Sequence, residues 1–249
     1  MKGSIRSAIA ALALLLAAPA AAFAQSAGNG YLFRAPDATL SIRGGYSRAL
    51  AGSDVFDDVT KELTLDRGDF SSLTLGADAA VHVGGPFDLV LSAGYARSNH
   101  KSEFRDLVDN NDQPIEQTTT FERLPLTLSL RYNLAPAGRS IGHLAWIPSR
   151  IVPYVGAGVG GMRYRFKQEG DFVNYATNAV FPSVIDSEAE WTFVTQGMAG
   201  VDYNFSPRFG LSLDARYLHA NGELGPAFQG YDRIDLSGLS ATVGLSVRM

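Results

Sequence analysis

The fold is decided by the stretch Thr242–Met249 (TVGLSVRM), in which apolar and polar residues alternate up to the last position. Counting back to Leu239, every odd-numbered residue is apolar and every even-numbered residue is polar or glycine. A period of two predicts a β-strand whose two faces meet different surroundings, one apolar and one polar. The end of the chain therefore predicts a sheet with one apolar face and one polar face.

The same alternation recurs along the chain in segments of about ten residues that are separated by turn-rich stretches, a pattern typical of transmembrane strands. The segments cover about residues 38–48, 70–83, 88–98, 124–134, 152–166, 190–205, 209–219 and 234–249. They predict an all-β fold, an eight-stranded antiparallel up-and-down transmembrane β-barrel. In the fifth segment, Met162, Tyr164 and Phe166 have the opposite parity to Val155, which predicts a bulge at Gly160–Gly161.

The start of the chain has the features of an export signal. Lys2 and Arg6 precede an apolar run over residues 9–18, and Ala22-Phe23-Ala24 gives a small-x-small cleavage site. We therefore expect a signal peptide over residues 1–24, a periplasmic N-terminal segment over residues 25–37 and a barrel over residues 38–249. No later apolar run approaches the roughly 18 residues of a transmembrane helix, so a membrane location requires a barrel.

Composition excludes some classes of function and leaves others open. The formal net charge of −4 argues against nucleic-acid binding, which needs a basic patch. The absence of cysteine excludes disulfides and thiolate metal sites. A soluble exported β-sandwich or lipocalin-like barrel would have a similar composition. The aromatic residues favour the membrane, because many lie near predicted strand ends, where rings mark the two bilayer interfaces: Tyr46, Tyr95, Tyr132, Tyr154, Trp191, Tyr203, Phe205, Phe209 and Tyr217.

The connections alternate in length, as a barrel of this kind requires. Short turns at residues 84–87 and 206–208 are expected at the periplasmic end. The longer connections, about residues 49–69, 99–117, 167–189 and 220–232, are then expected outside the cell. Residues 135–150 are long for a periplasmic turn, and their Ile141, Leu144, Trp146 and Ile147 are read either as a contact with the membrane interface or as an ordinary loop.

The polar parity of the strands carries charges of both signs. An eight-stranded barrel has an interior only wide enough for side chains to fill it, and desolvated charges stay charged only when they are paired. We therefore expect a structural charge network that closes the lumen, formed by Arg43, Asp78, Arg123, Arg131, Asp202, Asp214, Arg216 and Arg248.

Catalytic and metal sites are not indicated. The four histidines are His82, His100, His143 and His219, and the two nearest the outer rim, His100 and His219, lie in no recognisable lipase or deacylase motif. The first outer connection is acidic, with Asp54, Asp57, Asp58, Glu62, Asp66 and Asp69. Its spacing matches no EF-hand loop, so we predict a solvated, charged loop, with no catalytic residue, metal or cofactor.

Two motifs carry a resemblance to a known family. Thr242–Met249 resembles the C-terminal assembly signal of bacterial outer-membrane barrels, except that Met249 stands where Phe or Trp is usual. Together with residues 153–160 (PYVGAGVG), it makes the whole mature chain similar to the small outer-membrane barrels of the OmpW and OmpA/OmpX kind. The resemblance implies a bacterial outer-membrane location, folding by the barrel assembly machinery, and contact with outer-membrane lipids and lipopolysaccharide.

Two functions remain open, with a lipid-modifying enzyme as a less favoured third. The first is a non-enzymatic barrel that contributes to envelope integrity or surface interaction through four outer loops, since loops on a rigid scaffold carry variable function. The second, which the resemblance to OmpW suggests, is a narrow conduit for small hydrophobic molecules that leave sideways. The third outer connection is unusually apolar, and its Phe172, Tyr175 and Phe181 are candidate ligand contacts.

Overall fold

The computed structural model describes residues 34–109, 112–141, 145–174, 177 and 179–249. The predicted signal peptide and most of the predicted periplasmic segment lie outside the described residues. In the described part of the chain, no helix is both long enough and apolar enough to cross a membrane.

The described chain is built mainly from long strands. In chain order the elements are β1 (Ala38–Ala49), α1 (Asp54–Glu62), a 3₁₀ turn (Arg67–Phe70), β2 (Ser72–Gly84), β3 (Phe87–Val108), β4 (Pro114–Asn133), β5 (Gly138–Ile141), β6 (Ala145–Pro148), β7 (Ile151–Asn174), β8 (Ala179–Asn204), β9 (Phe209–Gly222), a second 3₁₀ turn (Pro226–Phe228), β10 (Ile234–Asp235) and β11 (Gly238–Arg248). Among the described residues, eight strands form a closed antiparallel barrel, and β5, β6 and β10 are short additions. The predicted fold class is confirmed.

The first and last strands close the barrel. In the β1–β11 pair, Leu245 lies opposite Ile42 and Val247 lies opposite Leu40. The backbone N–H of Met249 donates to the Ala38 carbonyl at 2.9 Å, so Met249 lies opposite Ala38, two residue pairs beyond the Leu40–Val247 pair. The odd-numbered residues of β11 are mostly exposed on the outer surface and the even-numbered residues mostly face the interior, as the alternation predicts.

The two ends of the barrel differ. The turn end holds Ala38, Met249, the turns after β2 and β8, and the β4–β7 connection, whereas the loop end holds the other connections. Apolar side chains cover the outer wall between these ends, and exposed aromatic residues lie at both: Phe87, Tyr132, Tyr203, Phe205 and Phe209 at the turn end, and Tyr46, Tyr95, Trp191 and Tyr217 at the loop end. Tyr154 was expected among these rings but faces the interior and is 4% exposed.

Two of the predicted outer loops are mostly strand. Since β3 continues to Val108 and β4 begins at Pro114, the connection expected over residues 99–117 is a hairpin. β7 and β8 extend in the same way over residues 167–189. The loop prediction was wrong because these extensions lack the alternation of a membrane strand. Polar residues lie on both faces of the β3–β4 extension, and apolar residues occur at both parities in the β7–β8 extension, as in Phe172-Val173. At about 3.3 Å per residue, β3 extends roughly 40 Å beyond Tyr95.

The bulge expected at Gly160–Gly161 was also wrong. β7 pairs with β4 without a register shift from Tyr154 to Gly170, and its pairing with β8 shifts between Met162 and Tyr164. Met162, Tyr164 and Phe166 face the interior and are at most 4% exposed. Parity is therefore continuous along β7, and these apolar residues point inward because the interior is apolar at their level.

Candidate functional site

The described interior of the barrel has two chemically distinct layers. An apolar layer, which we call the outer plug, fills the loop end and includes Phe56, Phe70, Phe121, Met162, Phe166 and Phe228. A charged layer, the ion-pair layer, fills the barrel nearer the turn end. The alternation in the sequence predicts the second layer but not the first.

The outer plug is centred on α1 of the first outer connection. Its Val55, Phe56 and Val59 are buried, while its acidic side chains lie on the opposite, exposed face, so that the helix is amphipathic. The Phe56 ring is fully buried, and its centroid lies 4.6 Å from that of Phe70 and 5.5 Å from that of Phe166, both edge-on. The prediction of a solvated loop was wrong for this apolar face.

Hydrogen bonds hold α1 and the last outer connection together. The Gly52 N–H donates to the Asp235 carboxylate at 2.9 Å, and the Asp232 N–H donates to the Asp54 carboxylate at 2.8 Å. Burial, followed by the neighbouring Asp58 carboxylate, raises the pKa of Tyr231 to about 12. The two connections therefore cover the loop end as one unit.

A quartet of charges forms the centre of the ion-pair layer. Arg43 lies 3.2 Å from Asp78, and Arg216 contacts both Asp78 at 2.7 Å and Asp214 at 2.5 Å. The Tyr154 hydroxyl donates to Asp214 at 2.8 Å. These charged side chains are at most 10% exposed, so each depends on its partner to replace the solvation that burial removes.

A second group of charges lies nearer the turn end. Arg131 contacts Asp88 at 2.7 Å and Asp202 at 3.3 Å, and the Asn133 amide donates to Asp88 at 2.7 Å. The Arg131 guanidinium also lies 4.8 Å from the centroid of the Tyr154 ring, a cation–π contact. Because Tyr154 also binds Asp214, it links the two groups of charges.

The structure brings six of the eight predicted lumen charges into these pairs and places the other two differently. Arg123 is 3% exposed and donates to the Leu236 carbonyl at 3.2 Å and the Ser47 hydroxyl at 3.0 Å. Arg248 donates to the Asn204 side chain. Sequence reasoning missed Asp88, although it shares the inward parity of Ser92.

Little space remains between the two layers. A cavity of about 30 Å³ is lined by Arg43, Arg123 and Arg216 together with polar side chains that include Thr127 and Gln196. A water molecule needs roughly 10–15 Å³ of such volume, so the cavity holds one or a few waters. At this level the lumen is too small for a solute of metabolite size.

Two of the candidate ligand contacts of the third outer connection, Phe172 and Phe181, lie away from the lumen. Phe172 pairs with Phe181 across the β7–β8 hairpin, and their ring centroids are 6.4 Å apart. The Phe181 side chain is 44% exposed. Tyr175 lies outside the described residues. The two described rings therefore form a surface patch near the hairpin tip.

The histidines near the rim do not form an accessible catalytic group. His219 Nδ1 lies 3.1 Å from the Ser237 hydroxyl, but Ser237 is 2% exposed and its hydroxyl also donates to the Ala220 carbonyl. A nucleophile must be reachable by its substrate, so we interpret this contact as a structural link between β9 and the residue that precedes β11. His143 lies outside the described residues, and within the described residues no group of three His, Cys, Asp or Glu side chains is placed to hold a metal ion.

We predict that Phe56→Ala releases α1 without unfolding the barrel. Truncation of a buried Phe costs about 3–5 kcal/mol, and the rings that pack against Phe56 belong to the outer plug. Trypsin should then cut after the exposed Lys61, which the intact plug protects, while migration on unheated gels stays that of a folded barrel. Phe181→Ala, at an exposed ring, is the control and should leave cleavage unchanged. Equal protection of Lys61 in both variants would contradict the central role of Phe56.

Comparison with known proteins agrees with this architecture. The family model described as "Outer membrane protein beta-barrel domain" matches residues 8–248. No curated protein matches the sequence. Among solved structures, Neisserial surface protein A is 12% identical, with 85% of this chain and 96% of that chain covered and a TM-score of 0.46. E. coli outer membrane protein W is 19% identical, with coverages of 88% and 100% and a TM-score of 0.39.

The family match covers nearly the whole chain and indicates its location. The protein lies in the bacterial outer membrane. The turn end then faces the periplasm and the loop end faces outward, as in other barrels with short periplasmic turns and longer outer connections. The chain belongs to the family of outer membrane protein β-barrel domains.

Proposed function

We propose that this protein is a closed, non-enzymatic barrel that contributes to envelope integrity or surface interaction through structures displayed outside the membrane. The observation that supports the proposal best is the filled interior. Phe56 in the outer plug is 0% exposed and Arg216 in the ion-pair layer is 4% exposed. A barrel with both layers in place offers no path for a solute along the length of its lumen, so we assign its function to its surfaces.

The tall hairpins β3–β4 and β7–β8 are the most extensive of these surfaces. β4 pairs with β7 along their outer extensions, for example Gln117 opposite Gly170, so that the four strands form one wall above the membrane. Phe181 and Val184 are 44% and 60% exposed near one tip. A paired sheet holds such side chains in fixed positions, which suits recognition of a surface partner.

The predicted partners remain part of the proposal. Arg97 lies two residues beyond the aromatic residue Tyr95 and is exposed on the outside of β3. It pairs with Glu122 at 3.2 Å, but its side chain is half exposed, so its remaining N–H groups are placed to contact lipopolysaccharide phosphates. Outer-membrane lipids would cover the exposed apolar wall. The barrel assembly machinery would receive the C-terminal strand that ends at Met249.

Trimming one hairpin tests the surface role. Replacement of residues 100–119 by Asn-Gly joins the remaining strands through a two-residue turn and keeps Phe121 in the outer plug. In a strain that lacks the protein, the full chain should restore resistance to detergents or attachment to surfaces, and the trimmed barrel should insert normally but restore neither. Full restoration by the trimmed barrel would show that the hairpin is not the functional surface.

We predict that the purified protein shows no steady conductance in planar bilayers. Deletion of α1, with a Gly-Ser linker across residues 54–62, should also give a non-conducting barrel, because the ion-pair layer still closes the lumen below. A general porin serves as the conducting control. Large, stable currents from the full chain would contradict a filled lumen, and currents from the α1 deletion alone would assign closure to the outer plug.

A second function, a conduit for small hydrophobic molecules, is supported by a seam in the wall. The β3–β4 pairing skips Gly94 and Tyr95 opposite Leu124 and Pro125, and the interior cavity reaches this seam. Proline lacks the N–H that a continuous ladder needs. Pro125→Val should seal the seam and reduce uptake of a small apolar dye. Equal dye uptake by cells with and without the protein would exclude the conduit.

A further inference from the structure

The β5–β6 hairpin lies at the periplasmic end, within the connection between β4 and β7. Its two strands form a sheet of their own, separate from the barrel sheet. The other described turns at this end are short, as after β2 and β8. An isolated two-stranded hairpin is at best marginally stable in water, so this one needs support from another surface.

One face of the hairpin holds a buried tryptophan, Trp146. Trp146 lies opposite Ser140, and the next pair on the same face is Gly138 with Pro148. The Trp146 side chain is 4% exposed, and a Cβ atom at Gly138 would overlap its ring. Only glycine permits this close approach, so the packing of Trp146 depends on Gly138.

The opposite face is apolar and uncovered. It carries the pairs Arg139 with Ile147 and Ile141 with Ala145. Ile141 is 47% exposed and Ile147 is 38% exposed. Two isoleucines on an open face of a marginal hairpin are unfavourable in water and favourable against lipid.

The hairpin is continuous with the lipid-facing wall of the barrel. Leu134, just after β4, is 56% exposed, and Ile151, the first residue of β7, is 58% exposed. The Arg150 guanidinium donates to the hydroxyl of Tyr203 at 2.8 Å and lies 5.4 Å from its ring centroid. Tyr203 belongs to the aromatic residues of the periplasmic end, so the hairpin is attached at the level of the membrane interface.

We propose that the β5–β6 hairpin is an interfacial anchor, with Ile141 and Ile147 inserted among the lipids of the periplasmic leaflet. Arg139, which is exposed on the same face, then lies beside the phosphates of anionic phospholipids. A long arginine stem can lie along apolar lipid while its charged head reaches the phosphate layer. The hairpin therefore extends the lipid contact of the barrel beyond its strands.

The absence of cysteine from the chain allows a direct measurement of depth. Single spin labels are placed at Ile147→Cys and at Ser140→Cys on the opposite face of the hairpin, with Leu130→Cys in the barrel wall and Lys101→Cys on the outer hairpin as references. Accessibility to oxygen and to a water-soluble nickel complex is measured in liposomes of phosphatidylethanolamine and phosphatidylglycerol. We expect the oxygen-to-nickel ratio at Ile147 to approach that of Leu130, and the ratio at Ser140 to stay lower.

Two further results decide the proposal. The oxygen-to-nickel ratio at Ile147 should fall when phosphatidylglycerol is replaced by phosphatidylcholine, because Arg139 then loses its anionic partner. Arg139→Glu should remove this dependence on lipid charge. A ratio at Ile147 equal to that of Lys101 in liposomes would overturn the anchor. Protection of Ile147 from nickel in isolated outer membranes but not in liposomes would also overturn it and would assign the face to a periplasmic protein.

Discussion

Arg216→Met is expected to lower the free energy of unfolding by about 3–5 kcal/mol, the usual cost of removing one partner of a buried ion pair. Arg216 contacts Asp78 at 2.7 Å and Asp214 at 2.5 Å, and its side chain is 5% exposed. Asp78 keeps its ion pair with Arg43, whereas the hydrogen bond that Asp214 keeps among the described residues comes from a neutral donor, the Tyr154 hydroxyl. The destabilisation should appear in urea unfolding of the protein in liposomes, followed by gel migration.

A second substitution separates loss of pairing from loss of packing. Asp214→Asn in the Arg216→Met background removes the unpaired carboxylate and should restore part of the stability. Arg233→Met is the matched control, because Arg233 pairs with Glu223 while 66% exposed, and such pairs contribute about 0–1 kcal/mol. Equal destabilisation by Arg216→Met and Arg233→Met would show that the ion-pair layer does not hold the barrel together.

The wall of the barrel could be predicted from the sequence because the membrane imposes a simple rule on it. Lipid outside and polar groups inside force a period of two, and the apolar face that the alternation predicts, with Leu245 and Val243, is the outer face, where both residues are 55% exposed. The rule ends where the membrane ends. Beyond Tyr95, β3 continues to Val108 with polar residues on both faces. This part of the strand has no apolar–polar alternation, so the sequence pattern does not predict it.

The outer plug could not be predicted because it depends on contacts between distant parts of the chain. The buried residues of α1, Val55, Phe56 and Val59, are spaced as on one face of a helix, but the surrounding acidic residues made the segment look solvated. Its partners Phe121 and Phe166 lie on β4 and β7. The sequence pattern predicts a polar lumen along its whole length, so it does not predict that these rings lie inside.

The ion-pair layer shows a similar division between what parity predicts and what it does not. Parity indicates which charges face inward, but not which of them meet across the lumen. Arg216 reaches Asp78 on a distant strand, whereas Arg123 is satisfied by a carbonyl and a hydroxyl. Tyr154 was assigned to the aromatic rings by its position near a strand end, although the outward parity of Val155 indicates that it faces inward.

Val243→Arg is expected to lower the free energy of unfolding in liposomes by about 2–4 kcal/mol, the cost of a charge on the lipid face near the bilayer midplane. Val243 is 55% exposed on the outer wall and lies between Gly44 of β1 and Leu213 of β9. The arginine stem cannot reach water from this depth without distorting the lipid around it. Thr242→Ser, an adjacent inward change that keeps the hydroxyl, is the control.

Met249→Asp should behave differently, because Met249 lies at the periplasmic end of the β1–β11 pair, opposite Ala38. A charge costs roughly 0–1 kcal/mol near an interface, so unfolding should change little. The folded fraction in cells should fall, since the substitution spoils the terminal assembly signal, and Met249→Phe should assemble at least as well as the natural chain. A charge buried in lipid must lower either the free energy of unfolding in liposomes or the folded fraction in cells. If neither Val243→Arg nor Met249→Asp changed these two quantities, the result would contradict an embedded C-terminal strand.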